Sequence, residues 1–382
     1  MPSFLAVTSR GLHKALLDEM TERDFQSLNK TASGVEFSGS WKECYRANLL
    51  LKCTPRILKP ILDFSAYNKE DFYNNAKKHD FTKYIEPHQT LAVQSSVQGS
   101  IFTDQRYPSM LLKDVVVDQF QAKFNKRPNV NKDQPDLSLF VKIYNSQVSI
   151  ALDTTGFSLT QRGYREQTAT APIKEHLAAA VLMLSKWQVG EPLYDPMCGT
   201  GTFLIEAAKW NDLRDDRFGF KRWKAFQVEP YNELVKELQK QKPSTPTFIM
   251  GSDISDQNIE STAGNLRRAK LIDKINLFSM NYFNLNAEKL KMRLKQDLPE
   301  KGLVVLNPPY DNRLQVKGNL ENFYDQVVLK TAEVFPNWRL SLLAPGDFDE
   351  RKMKCTVDSL ARFESGGMKI KLLRFPNLKR FV

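Results

Sequence analysis

The chain has 382 residues and a formal net charge of +11, too long for one ordinary core, so two or three domains are expected. Hydrophobic residues at 41% and charged residues at 26% fit a soluble globular protein, and no apolar run approaches the length of a membrane span. The excess of Lys and Arg favours a polyanionic partner, nucleic acid foremost.

The opening MPSFLAVTSRGLHKALLDEM has no basic flank before a long apolar core, so no signal peptide is expected. Cys44, Cys53, Cys198 and Cys355 form no CxxC pair, and His13, His79, His88 and His176 are as scattered. Neither set matches a zinc spacing, so no metal site is expected. Sparse cysteine suits a reducing compartment, and the expected location is the cytoplasm, off the membrane.

In chain order, SFLAVT reads as a strand and GLHKALLDEM as an amphipathic helix with Leu12, Leu16 and Leu17 on one face. SGVEFSG is a short alternating strand, and WKECYRANLLLKC a helix. TLAVQSSV (strand), SMLLKDVVVDQFQAKF (helix) and the strands LSLFVKIYN and QVSIALDT come next. Near residues 155–168 the style changes. APIKEHLAAAVLMLSKW is a helix with Pro172 in its first turn. Then PLYD, TFIMGSD, INLFSMN, GLVVLN and WRLSLLAP read as strands, alternating with helices at GTFLIEAAKW, SDQNIESTAGNLRRA, NAEKLKMRLKQ and NLENFYDQVVLKTAEVF. Such alternation means a parallel sheet covered by helices on both faces. In RFESGGMKIKLLRF, Gly366-Gly367 separates two strand-like stretches, a hairpin signal. The fold class is therefore α/β, a modified doubly wound sheet ending in an antiparallel hairpin.

LYDPMCGTGTFLIEAA carries the first chemical signal. A short strand ends at Asp195, a tight loop holds Cys198, Gly199, Thr200 and Gly201, and a helix begins. Glycine at 199 and 201 lets backbone approach a ligand without Cβ interference, and the absence of GKS or GKT excludes a Walker loop. Asp195 would repel phosphate and attract a cation. A sulfonium or an amino acid ammonium fits, which points to S-adenosylmethionine. Cys198 lies in this loop, and since no Cys directly follows the Pro308-Pro309 pair further on, it reads as a packing residue. A second acid should end the next strand and hold ribose hydroxyls; FIMGSDIS supplies Asp253, well beyond the usual spacing of about 20 residues. The excess, NDLRDDRFGFKRWKAFQVEPYNELVKELQKQKPSTP, reads as an insertion with its own helix, packed by its aromatics onto this domain. Asn281 ends the third strand, where an amide could meet an adenine edge.

The fourth strand runs into NPPY. Pro308 keeps Asn307 extended, and Pro309 brings no N–H into the space. The Asn307 side-chain oxygen and the Pro308 carbonyl then form a fixed pair of acceptors suited to a planar –NH₂. Holding both hydrogens turns the nitrogen toward tetrahedral geometry and frees a lone pair for a methyl sulfonium. Tyr310 can stack on the ring bearing the amine, worth about 1–3 kcal/mol.

These segments resemble the THUMP-containing guanine-N2 methyltransferases, in particular the bacterial 23S ribosomal RNA enzymes of the RlmL type. The resemblance rests on LDTTGFSLTQRGYREQTATAPIKEHLAAAVL, DPMCGTGTFLIEAA, DRFGFKRW, NPPY and ESGGMKIKLLRF, and covers nearly the whole chain. It implies a ferredoxin-like part at 1–45, an RNA-binding THUMP domain at 46–155 and a class I S-adenosylmethionine-dependent methyltransferase domain at 156–382. It implies RNA as partner and a stretch near the cofactor at 165–175 through the backbone around Thr170 and Pro172; a monomer is expected. Where the family often continues its prolines as Gly-Glu-Arg, this chain has Asp311-Asn312-Arg313, so only Arg313 carries over; Asn281 stands where Asp is common.

NPPY also suits adenine N6 in DNA or a glutamine amide in a protein. The basic residues Arg106, Lys113, Lys123, Lys126, Arg127 and Lys132 favour RNA, with Lys123, Lys126, Arg127 and Arg313 the candidate contacts. Transfer RNA guanine is the nearest alternative substrate. A non-catalytic RNA-binding factor is the alternative from another class, opposed by the intact Asn307, Pro308, Tyr310, Asp195 and Asp253.

Overall fold

A computed structural model describes residues 1–99, 102, 104–165, 172–214, 217–240, 248–308, 320–365 and 367–382. The chain forms two compact units. The first comprises Met1–Thr8, Met20–Leu159 and Leu213–Gln241, and the second Ser9–Glu19, Thr160–Asp212 and Lys242–Val382.

The first unit is built on one eight-stranded sheet. Elements in this part of the chain are β1 (Ser3–Val7), α1 (His13–Glu22), β2 (Asn29–Thr31), β3 (Gly34–Ser38), α2 (Trp41–Leu50), β4 (Ile57–Ser65), α3 (Lys69–Lys77), β5 (Thr90–Gln98), α4 (Tyr107–Phe124), β6 (Asn129–Val130), β7 (Leu137–Tyr144) and β8 (Gln147–Asp153). Most of α1 groups with the second unit. The strand order is β2-β3-β1-β4-β8-β7-β5-β6. Ser40 and Asn68 cap α2 and α3 by accepting from Lys42 N and Asp71 N. Strand β4 has no counterpart among the sequence-derived strands; it carries Pro60, a residue uncommon inside a sheet. The proline sits where the β4–β8 register shifts between Pro60 and Leu62, a bulge that tolerates its missing N–H. With β1 on one side and β8 on the other, β4 joins the N-terminal strands and the later ones into a single sheet. The division expected at residue 45 falls inside α2.

The second unit contains α5 (Glu175–Leu184), β9 (Leu193–Asp195), α6 (Thr202–Ala208), β10 (Ile249–Asp253), α8 (Asp256–Arg268), β11 (Asn276–Ser279), α9 (Ala287–Leu294), β12 (Leu303–Leu306), α10 (Leu320–Val334), β13 (Arg339–Pro345), β14 (Ser359–Ser365) and β15 (Met368–Phe375); α7 (Val228–Gln239) belongs to the first unit. Its sheet runs β11-β10-β9-β12-β13-β15-β14. The first five strands are parallel and β15 and β14 return antiparallel. Gly367 turns this hairpin at φ +84°; Gly366 lies outside the described residues. All four residues of β12 are buried, the continuous apolar run of a strand covered on both faces. Every residue of α5 is buried too, which accounts for its run of alanines and leucines. That helix starts later than its proline suggests. Lys174 is the N-cap with extended backbone, so Pro172 precedes the helix instead of standing in its first turn.

The insertion corrects a second expectation. Leu213–Gln241 groups with the first unit, not with the unit whose strands it interrupts in sequence. Its aromatics close around α2: Tyr45 lies 4.6 Å from Phe220, 5.8 Å from Phe226 and 5.6 Å from Tyr231, and Trp41 meets Trp223 edge-on at 6.0 Å. Gly156 and Gly219 let two backbones touch, since a Cβ on Gly156 would fall 2.7 Å from Gly219 N. The aromatics sought the apolar face of α2, which sequence adjacency does not reveal. Phe220→Ala should therefore destabilise the first unit by about 3–5 kcal/mol, the range for truncating a buried Phe. Denaturant unfolding checks this; a loss below about 1 kcal/mol would mean that the insertion only rests on the surface.

Candidate active site

Parallel pairing sets the site. Strand β9 lies between β10 and β12, with Gly251 opposite Asp195 and Val304 opposite Tyr194. Asp253 and Asn307 each lie two residues past the level of Asp195, about 7 Å further along at strand rise. One carboxyl edge thus gathers Asp195, Asp253 and Asn307, the place where open α/β sheets hold ligands. Asn307 directly follows β12 and is half-buried, and Pro308 is buried. Pro309, Tyr310 and Arg313 lie outside the described residues, as does Thr170. Pro172 is half-buried ahead of α5.

The glycine loop is held from beneath. Gly199 and Gly201 have φ of +56° and +77°, and a Cβ at Gly201 would sit 2.7 Å from Thr262 Cγ2. Asp253 Oδ2 accepts from Gly199 N at 2.9 Å, and its Oδ1 accepts from Ser255 N and Asn258 Nδ2. From α8, Thr262 Oγ1 donates to Gly199 O at 2.7 Å and Asn265 Nδ2 to Thr200 O at 2.9 Å. Loop carbonyls are thereby drawn down onto α8. Sequence reasoning missed Thr262 and Asn265; their signal is two polar residues three apart on the buried face of an amphipathic helix. Arg268, one turn on, donates to Asn265 Oδ1 at 2.7 Å and to Tyr164 O at 2.8 Å, tying the loop to the segment before α5.

Charges under this loop are deeply buried. Asp195, 2% exposed, accepts from Met197 N at 3.2 Å. Burial, with the like charge of Asp253 adding to it, pushes its carboxyl well above the usual carboxylate range. Cys198 is buried with Sγ 3.8 Å from Thr262 Oγ1, and burial likewise pushes the thiol well up, so it stays protonated. Arg162 and Glu206 form a buried ion pair at 3.1 Å, with Tyr164 Oη donating to Glu206 at 3.2 Å. Arg165 pairs with Glu175 at 3.1 Å and donates to Thr202 Oγ1 at 2.9 Å, bracing the start of α6.

Other candidates stand apart or differ. Asn281 Oδ1 accepts from Phe283 N at 3.0 Å, capping a short turn after β11. Ile254, unremarked in the sequence, follows Asp253 with 71% of its surface exposed, a large apolar side chain at the ligand edge. Lys123, Lys126 and Arg127 belong to the first unit. Lys123 Nζ lies 2.9 Å from Thr82 Oγ1 and 3.4 Å from Asp80, whereas Lys126 and Arg127 are exposed beyond the end of α4. Among the described residues no cluster of three His, Cys, Asp or Glu could hold a metal ion, and no helix is long and apolar enough to cross a membrane.

The methyltransferase domain described as RMKL-like matches residues 162–369, more than half the chain. The chain belongs to this RMKL-like methyltransferase family. Ahead of that domain, residues 3–58 match the RlmL ferredoxin-like domain and residues 66–153 the THUMP domain. The methyltransferase also shares its fold with solved structures. The SMU.472 protein in complex with SAH aligns at a TM-score of 0.83 and 24% identity, covering 98% of each chain. The "possible methylase" of Clostridium difficile 630 aligns at 0.82 and 24%, again over 98% of each. TrmN from Thermus thermophilus aligns at 0.66 and 15%, over 98% of this chain and 99% of that one.

Asp195 yields a pH prediction for the methyltransferase. Its folded-state pKa is raised, so its stabilising contribution is present at low pH and is lost as pH rises through the folded value. As pH rises above the usual carboxylate range, thermal stability of the ligand-free protein should fall more than that of Asp195→Asn, which has no proton to lose. Parallel pH profiles for the two proteins would contradict the buried, uncompensated carboxylate.

Proposed function

We propose that this methyltransferase modifies the exocyclic N2 amine of a guanine in 23S ribosomal RNA, with S-adenosylmethionine as methyl donor. One observation carries the reading: the buried acid Asp195, next to Asp253 on the neighbouring strand, shares a sheet edge with the amide-and-proline strand end at Asn307-Pro308. The residues present fit the cofactor. Asp195 is the acid that would meet its ammonium, the cation favouring the charged form that burial disfavours, and the loop at Cys198, Gly199, Thr200 and Gly201 leaves open space above Gly199. Asp253, whose lone pairs are partly taken by the loop, would hold ribose hydroxyls, and the exposed Ile254, with Asn281, would serve the adenine. When bound, S-adenosylmethionine supplies an electrophilic methyl group on a sulfonium.

The protein's own contribution is to the target amine. Asn307 Oδ1 and the Pro308 carbonyl accept its two hydrogens. Tyr310 and Arg313 lie outside the described residues; the sequence assigns stacking on the base to Tyr310 and an RNA contact to Arg313. Orientation and preorganised acceptors do the work, with no covalent intermediate. The THUMP domain supports an RNA substrate, and the RlmL ferredoxin-like match supports ribosomal over transfer RNA.

Asn307→Ala removes one acceptor and leaves the glycine loop and Asp253 in place. The rate of single-turnover methyl transfer to deproteinised 23S RNA should fall roughly 10²–10³-fold, the scale for losing one preorganised polar contact. Cofactor affinity should hold within about twofold, because the lost contact acts as the nitrogen rehybridises. Transfer at the wild-type rate would sink the amine clamp.

A further inference from the structure

The insertion brings charge as well as aromatics to the first unit. In KRWK (221–224), Trp223 is buried, and its Nε1 donates to Asp136 O at 3.0 Å. Around this anchor the segment is pinned by main-chain contacts, Lys224 N to Tyr84 O at 2.9 Å and Gln89 Nε2 to Arg222 O at 3.0 Å. Lys224 Nζ is directed to Thr82 O at 3.3 Å, while Lys123 Nζ comes from the end of α4 to Thr82 Oγ1 at 2.9 Å. The same two ammonium groups flank one ring, at 5.6 Å and 5.7 Å from the Phe124 centroid. Two chain segments about a hundred residues apart thus place cations on one spot, beside the exposed Lys126 and Arg127.

Like charges gathered at one place are costly without an anion to meet them. The acids at hand, Asp80 at 3.4 Å from Lys123, Glu86 at 3.2 Å from Lys224 and Asp136 at 3.4 Å from Arg222, form partly exposed pairs. Such pairs are worth under about 1 kcal/mol and yield readily to a phosphate. A rigidly held pair of ammonium groups also loses little freedom on binding. From this we propose that the end of α4 and residues 221–224 form one surface for the RNA phosphate backbone, with Lys123, Lys126, Arg127, Arg222 and Lys224 as its cations. The proposal rests on the RNA reading above and adds the insertion to the docking surface.

The test uses the full chain and transcribed 23S RNA, with dissociation constants measured across a series of KCl concentrations. K123A/K224A should bind roughly tenfold or more weakly at low salt, and the slope of log affinity against log salt should shrink by about 1.5, two lost phosphate contacts. K123R/K224R should restore both, and K30A/K69A, at exposed lysines elsewhere in the unit, should change neither. S-adenosylmethionine affinity should be the same in every variant. Wild-type RNA binding with an unmoved slope in K123A/K224A overturns this surface and leaves the RNA reading standing. A wild-type protein that binds no RNA at low salt overturns both.

Discussion

The parallel pairing of β9 with β10 on one side and β12 on the other is the constraint on which the site depends. It fixes three strand ends at one edge, so that Asp195, Asp253 and Asn307 meet although they are spread over more than a hundred residues. Burial of β12 on both faces makes that edge hard to shift, because a register slip would strand the apolar Leu303–Leu306 run against the wrong neighbours. The candidate site is built on these ends.

Polar groups then stiffen the edge from behind. Thr262 and Asn265 take the loop carbonyls, Asp253 takes Gly199 N, and Arg268 links this clamp to Tyr164. Tyr164 in turn reaches the buried Arg162–Glu206 pair beside α6. A satisfied buried network of this kind holds its members in one arrangement, and removing a single partner leaves a costly unpaired group. Asp195 is the exception, an acid left in a buried place with a like charge for company. That imbalance is what a cationic ligand would relieve.

Much of this was legible in sequence because it is local. The strand ending at Asp195, the glycine loop and the strand ending at Asn307 each announce themselves within a short stretch of chain. The alternation of elements was enough to expect the parallel sheet and its terminal hairpin. The hidden features depend on contacts between distant segments. Strand β4 carries Pro60, tolerated at a bulge whose existence only the β8 partner defines. The insertion's aromatics were visible, but their destination on α2 was not. Pro172 looked like a first-turn proline, whereas the helix starts at Glu175. Thr262 and Asn265 look like ordinary polar helix residues until the loop they hold is seen, and Ile254 looks like core until its exposure is known.

The most direct test of the central claim is the identity of the methylated atom. The protein, incubated with S-adenosylmethionine and separately with deproteinised 23S RNA and bulk transfer RNA, should be followed by nuclease digestion and mass spectrometry of the nucleosides. The account predicts N2-methylguanosine in the 23S RNA, at one position, with no methyl group gained by transfer RNA. Methyl on adenine N6, or N2-methylguanosine confined to transfer RNA, would contradict it.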